Sequence, residues 1–334
     1  GSTERRIATP PSQTIMAVAD ASTRIAGIMS VAASTASRPA WYGLVLAGLG
    51  AVAFSGKAII VKLSYRYGVD AVTVITYRML FGLPLFLALS WYASRGRPRL
   101  TARDWRTLFW LGFTGYYLAS YLDFAGLQYI SANLERLILY LNPTIVLLLG
   151  LLLFRIPVSR RQWGALAVSY LGVLLVFGHD ISLGGHNVLL GTLLVFGSAV
   201  SYATYLAFSG NAVKELGALR IVGIATSIAC VLCIVHFLVL RPVSTLVVAP
   251  QVIWLGVLNA TLCTFVPVLM VMIAVEKVGA GVAAQVGMIG PMSTILLSML
   301  ILDEPFTAWM AAGTSVVFLG VWMLARSKRV GVTA

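Results

Sequence analysis

Five charged side chains stand inside long apolar stretches of this chain: Lys57, Arg78, Asp123, Glu135 and Arg136. An ionised group in hydrocarbon costs roughly 2.5–3.5 kcal/mol by insertion scales unless it is paired or faces water, so such residues are functional candidates by default. Three cations against two carboxylates leave one positive charge over. A spare cation in a cavity suits the carboxylate of an amino acid, through charge-assisted hydrogen bonds. Lys57 and Arg78 are the candidates for that contact. The plainer reading is that Asp123 and Glu135 are solvated near the outer surface or paired structurally.

Polar and aromatic residues gather in the same stretches. Asn142, Asn259 and Gln285 can orient a ligand or bond helix to helix. Tyr77, Tyr117, Tyr121, Tyr140, Tyr202 and Tyr205 could line a cavity and offer ring faces to flat or cationic groups. Tyr117 and Tyr121, four residues apart, share one helical face. Yet core packing is the commoner role for an interior tyrosine. Trp41, Trp91, Trp105 and Trp309 end apolar runs, where interfacial anchoring explains them. Pro143 and Pro291 each remove a backbone donor and free a carbonyl, so both are expected to bend their helices; Pro84 and Pro267 read as structural. Cys230, Cys233 and Cys263 lie in apolar runs, as inert buried thiols do.

The elements carrying these residues follow from composition. Of 334 residues, 59% are hydrophobic and 10% charged, with mean hydropathy +0.92. A soluble domain carries about 25% charged residues, so much of this surface must face lipid. A span needs about 20 apolar residues, and such runs recur between residues 41 and 325. They predict an all-α integral membrane protein with ten transmembrane helices. Residues 1–39 form a polar tail. Lys and Arg resist translocation and stay cytoplasmic. Arg95, Arg97, Arg99, Arg103 and Arg106, then Arg155, Arg160 and Arg161, then Lys214, Arg220, Lys277 and Arg326 fall on one side. Only Lys62, Arg66 and Arg241 fall on the other, so both termini, including residues 328–334, are placed in the cytoplasm. This alternation also disposes of nucleic acid as the reason for the net charge of +13.

The chain repeats itself at an offset of 148 residues, dividing it at 40–180 and 181–327. Gly50-Ala-Val-Ala-Phe54 matches Ser198-Ala-Val-Ser-Tyr202, Asn142-Pro143 matches Gly290-Pro291, Ile156-Pro157 matches Glu304-Pro305, and Gly172 matches Gly320. Trp110-Leu-Gly112 matches Trp254-Leu-Gly256 with a slip of four. Five spans in each half would set the halves inverted, the architecture with which many secondary transporters build two states of similar energy.

Leu-Asn-Pro-Thr-Ile-Val followed by Arg-Gln-Trp-Gly-Ala-Leu, and Ile-Gly-Pro-Met followed by Leu-Asp-Glu-Pro-Phe-Thr, resemble the EamA-type repeat of the drug/metabolite transporter superfamily. The resemblance spans residues 41–326 and implies two inverted five-helix repeats around a central cavity. It further implies alternating-access export of metabolites across an inner membrane, amino acids and particularly aromatic ones being the narrower expectation; cationic drugs or other metabolites are the alternative. One departure stands out: the Gly-Glu usual before the loop proline is Arg155-Ile156 in the first half, whereas the second keeps Asp303-Glu304. Glu135-Arg136 also stands where small residues are usual.

Rival classes fare less well. A membrane enzyme would want His, Ser or carboxylates converging at depth, but His179 and His186 read as loop residues and His236 as alone among apolar neighbours. Nothing resembles the selectivity filter of a passive channel, a Walker loop or a metal cluster. The expected partners are a small-molecule solute and membrane lipid, with a homo-oligomer left open and no cofactor.

Topology is testable at once. On a background lacking the three native cysteines, His186→Cys and Thr245→Cys should react with an impermeant maleimide applied from outside, and Arg99→Cys and Ser159→Cys should not. The opposite pattern would overturn the orientation.

Overall fold

The computed structural model describes residues 40–155, 157–182, 187–278, 286–287 and 289–326. The amino-terminal tail, Gln285 and His186 lie outside them. From Gly43 onward the chain packs as one compact unit.

Every regular element among the described residues is helical. Helix α1 (Ala40–Tyr65) and α2 (Ala71–Ser94) are followed by α3 (Ala102–Gly112), which runs through a π-helical segment, Phe113–Leu118, into α4 (Ala119–Gly126). Next come α5 (Ala132–Leu139), α6 (Asn142–Phe154) and α7 (Arg160–Ser182). The second half holds α8 (Val188–Leu216), α9 (Ala218–Leu240), α10 (Pro250–Ala260) and a π segment, Thr261–Phe265, leading into α11 (Val266–Val278). Last are α12 (Ile289–Leu297), a π segment Ser298–Leu302, and α13 (Ala308–Arg326).

Among the described residues seven helices are long and apolar enough to cross a membrane, and Ile289–Leu302 and Ala308–Leu324 are shorter apolar helices. Helix is the natural answer to an apolar medium, because it satisfies its own backbone donors and acceptors. The run 102–126 is not among the seven. Its Tyr116, Tyr117, Ser120, Tyr121 and Asp123 dilute its hydropathy, and these polar groups face neighbouring helices. Outward residues such as Leu152, Trp163, Leu171, Val239 and Leu300 are exposed and apolar, as lipid-facing surface must be.

Helix ends follow local chemistry. Thr101 and Asp104 cap α3 reciprocally; two donors from Thr101 on the Asp104 carboxylate hold it below the ordinary carboxylate range. Ser131 accepts from the Leu134 N–H at the start of α5. Helices α6 and the last π segment both close on a left-handed residue, Arg155 (φ 53°) and Asp303 (φ 60°). The two are 148 residues apart, and both adopt a backbone region that Gly enters most freely.

The packing repeats with the same offset. Helix α2 lies along α9 and α7 along α13, so each pairs with the helix at its own position in the other half. Helix α8 packs on α4 and α6, while α1 meets α11 and α12: Leu46 and Ala47 contact Met270 and Ala274, and Ser55 Oγ donates to Gly290 O at 2.7 Å. Self-equivalent pairs combined with exchanged pairs are what a two-fold relation between halves produces. The first π segment begins at 113 and the second at 261, again 148 apart; π turns insert one residue per turn and tend to sit at functional sites.

The α7–α13 contact is backbone to backbone. A Cβ on Gly172 would fall 2.6 Å from Gly313 O, and one on Gly320 would fall 2.2 Å from Ser169 Oγ. Gly172→Leu or Gly320→Leu should therefore lower the unfolding midpoint in detergent, by overpacking worth about 1–3 kcal/mol. Gly164→Leu on the same helix, where nothing lies within 4 Å, should leave the midpoint unchanged.

Candidate functional site

Helices α1, α2, α4, α5, α9 and the second π segment bring the intramembrane charges together. Lys57 sits in the middle of α1, and its ammonium is 2.5 Å from Asp123 Oδ2 on α4 and 3.3 Å from Glu135 Oε1 on α5. Both carboxylates are buried and Glu135 fully so, so the expectation that they might be solvated gives way to pairing. The side chain of Lys57 keeps 15% of its surface accessible. One ammonium thus serves two carboxylates.

Arg78 is also buried but has a different environment. Its Nε donates to Thr264 Oγ1 at 3.0 Å and its Nη1 to Ser120 Oγ at 3.4 Å, while the guanidinium lies 5.3 Å from the Phe124 ring centroid. Among the described residues no carboxylate pairs with it. Thr264 reaches Arg78 because the π segment turns its hydroxyl, which donates to Asn259 O five residues back. Asn259 itself is buried, with both side-chain polar atoms unpartnered among the described residues. Arg136 leaves the cluster: its Nε donates to Thr294 Oγ1 at 3.0 Å and its Nη2 to Phe54 O at 3.3 Å. It ties α5 to α12 and α1.

An aromatic wall adjoins the charges. Tyr117 and Tyr121 do share a face, and the residue they share it with is His236 on α9. Tyr117 Oη lies 3.0 Å from His236 Nδ1, and the imidazole is edge-on to Tyr121 at 4.7 Å between centroids. His236 is therefore not alone among apolar residues. Its signal was present in the sequence only as one polar residue a turn beyond Cys233. These rings pack into the same cluster as Ala58, Ile75, Phe124, Cys230 and Cys233.

Other candidates lie elsewhere. The Tyr77 hydroxyl donates to Leu246 O and its ring stacks on Phe81, fastening α2 to the loop after α9. Tyr202 and Tyr205 stack on each other, and Tyr205 Oη lies 3.2 Å from Tyr116 Oη. They belong to a separate core with Leu108, Leu111 and Ile221. Tyr205 is the residue 148 positions after Lys57, so the second half carries phenols where the first carries charge. Tyr140 packs edge-on against Phe318 at 5.3 Å.

The prolines act differently from each other. The helical run 132–154 breaks at Tyr140 and Leu141, and Pro143 stands in the first turn of α6, where its missing donor costs nothing. Asn142 Oδ1 at this break is buried without a hydrogen-bond partner among the described residues. Pro291 is buried within α12, beside the Gly290 carbonyl that accepts from Ser55.

Glu304 supplies a contact the sequence did not announce. Its Oε1 accepts from Ala132 N at 3.0 Å and its Oε2 from Asn133 Nδ2 at 3.1 Å. A carboxylate from the second half thus caps the amino end of α5, where the helix dipole favours negative charge, one turn before Glu135. Beyond the loops, a depression of about 520 Å³ is lined by Tyr67, Asp70, Arg241 and Thr245, with Arg241 3.1 Å from Asp70.

Known proteins agree with this architecture. The model of the EamA-like transporter family matches residues 41–178 and 189–326, two segments again 148 apart. An uncharacterized transporter of Bacillus subtilis, YcbK, is 26% identical over 296 residues, covering 84% of this chain and 92% of that one. An uncharacterized transporter of Archaeoglobus fulgidus is 24% identical over 287 residues, covering 81% and 99%. One solved structure superposes with a TM-score of 0.58 at 14% identity, covering 85% of this chain and 98% of that one, a likeness of fold. The two family segments take in nearly all of the helical region, and the chain belongs to the EamA-like transporter family.

Proposed function

We propose that this membrane transporter exports amino acids, aromatic ones among them, across the inner membrane by alternating access. In this reading ten spans form two inverted five-helix halves, with both termini in the cytoplasm and the solute held between the halves. The observation that carries it is Arg78: a buried guanidinium with hydroxyl partners, an aromatic face and no carboxylate partner among the described residues. Such a group wants an anion, and a solute carboxylate would supply one with bidentate geometry. Tyr117 and Tyr121 pack into the apolar cluster that holds Phe124, the ring near the Arg78 guanidinium, and with His236 would form a wall for a flat side chain. The carboxylates around Lys57, Asp123 on the helix of Tyr121 and Glu135 on α5, suit an ammonium group. A carboxylate, a ring and an ammonium together describe an aromatic amino acid.

Binding and flux separate the parts of this reading. Phenylalanine binding to the purified protein in detergent should weaken at least tenfold in Arg78→Gln, the loss of about 1.5–3 kcal/mol expected for a charged hydrogen bond, with partial recovery in Arg78→Lys. Equal affinity in the parental protein and Arg78→Gln would remove the main support. Pro143→Ala tests alternation. With a donor restored, the break at Tyr140 and Leu141 can close, so phenylalanine binding should persist while vesicle flux slows several-fold. Pro84→Ala, at an exposed mid-helix position on α2, should change neither. Flux at the parental rate in Pro143→Ala would show the break to be packing alone.

A further inference from the structure

We propose that the Lys57–Asp123–Glu135 cluster is a proton-coupling site, in which Glu135 holds a proton when no solute is bound and exchanges it for the ammonium group of the solute. The proposal rests on the amino-acid reading of the neighbouring Arg78 site for its solute, but its core is a matter of charge balance inside the protein.

Lys57 contacts Asp123 Oδ2 at 2.5 Å and Glu135 Oε1 at 3.3 Å. One ammonium neutralises one carboxylate. The closer contact makes Asp123 its counterion, which leaves Glu135 to be balanced by something else. Neither Glu135 oxygen has a hydrogen-bond partner among the described residues, and Asp123 Oδ1 lacks one too. A fully buried ionised carboxylate with no donor on either oxygen carries a large desolvation penalty. A carboxylic acid in the same place is far less costly, and its hydroxyl is itself a donor that the neighbouring bare Asp123 oxygen can accept. Two carboxyl groups crowded on one site share protons in this way.

Among the described residues no cation other than Lys57 comes within ion-pair distance of Glu135. On α5 itself Arg136 turns its guanidinium to Thr294 and the Phe54 carbonyl. From α2, Arg78 is directed to Thr264, Ser120 and the Phe124 ring. Glu304, at the amino end of α5, adds negative charge and so disfavours ionisation of Glu135. From α1, the Tyr65 hydroxyl donates to Phe124 O and Lys62 to Ile130 O. Helices α7, α8 and α13 meet α5 through apolar residues such as Val176, Val195 and Val317, with Tyr170 of α7 at the edge of that core. Within the protein, then, neutrality at Glu135 comes from a proton.

A cation arriving beside the cluster would do the same work. When the solute's ammonium settles against Glu135, the carboxyl releases its proton to water on the cytoplasmic side. When the solute leaves on the outer side, Glu135 takes a proton from water there. One proton enters for each solute exported, no bond other than O–H is made or broken, and the Lys57–Asp123–Glu135 cluster stays neutral throughout. Lys57 remains the counterion of Asp123 in both states.

Two measurements test this. Infrared spectroscopy of the purified, solute-free protein at neutral pH should show the carbonyl band of a buried carboxylic acid. The band should vanish in Glu135→Gln, which copies the protonated form and is expected to fold, and persist in Asp70→Asn. It should also vanish in Asp123→Asn, because Lys57 then takes Glu135 as its counterion; a carboxyl protonated merely for packing would keep its band. In vesicles with the membrane potential clamped, each pH unit of gradient should sustain roughly a tenfold phenylalanine ratio, since one pKa unit and one decade of concentration are the same free energy. Glu135→Gln should lose that accumulation, and Asp70→Asn should keep it. A band that survives Glu135→Gln, or exchange that runs without any response to the gradient, overturns the proposal. If phenylalanine does not exchange at all, the amino-acid reading fails, and the infrared result, which needs no solute, still decides whether Glu135 holds the proton.

Discussion

A polar group inside a bilayer has to find its partner within the protein, and that constraint shapes every unusual feature of this chain. Serine and threonine hydroxyls in the helices return to backbone carbonyls, as Ser55 does to Ala51 and Gly290. Lys62, Tyr65 and Arg66 reach carbonyls at the ends of neighbouring helices. Where the helical ladder is interrupted, a side chain or a changed turn takes up the slack. The break before α6 is followed by Pro143, which has no donor to lose. The amino end of α5 is capped by Glu304 from the other half of the chain.

Against that background the charged cluster is conspicuous because its accounts do not close. Lys57 and Asp123 satisfy each other, but Glu135 on α5 and Arg78 on α2 end with opposite tendencies. A purely structural network would be expected to place them together. Keeping them apart leaves an anion-seeking group on one side and a cation- or proton-seeking group on the other. That polarity is what the proposed zwitterionic solute would require.

The two halves share a frame and differ in chemistry. The π segments, the left-handed residues Arg155 and Asp303, and the glycines of α7 and α13 all recur at one offset. These features govern backbone path and helix approach, which both halves need alike. Charge does not recur: Tyr205 stands where Lys57 has its counterpart, and Ile156 where Glu304 has its own. Symmetry of frame would serve the two conformations of the proposed cycle, while asymmetry of side chains confines the charged cluster to the first half.

The sequence alone determined the helical membrane class, the duplication and the set of intramembrane charges. Hydropathy, spacing and the scarcity of charge are properties of the chain itself, and they need no partner to be read. Tertiary structure decided which of the candidates meet. Pairing of Lys57 with Asp123 and Glu135 depends on the rotation of three helices about their axes, and periodicity in uniformly apolar helices does not define that rotation. The same reason hid His236, whose neighbours Tyr117 and Tyr121 come from a helix more than a hundred residues away in the chain. It also hid the separation of Tyr202 and Tyr205 from the charges. The π turns were invisible for a different reason: an extra residue in a turn leaves no mark in composition, and only the hydroxyl of Thr264 pointing at Arg78 shows what it is for.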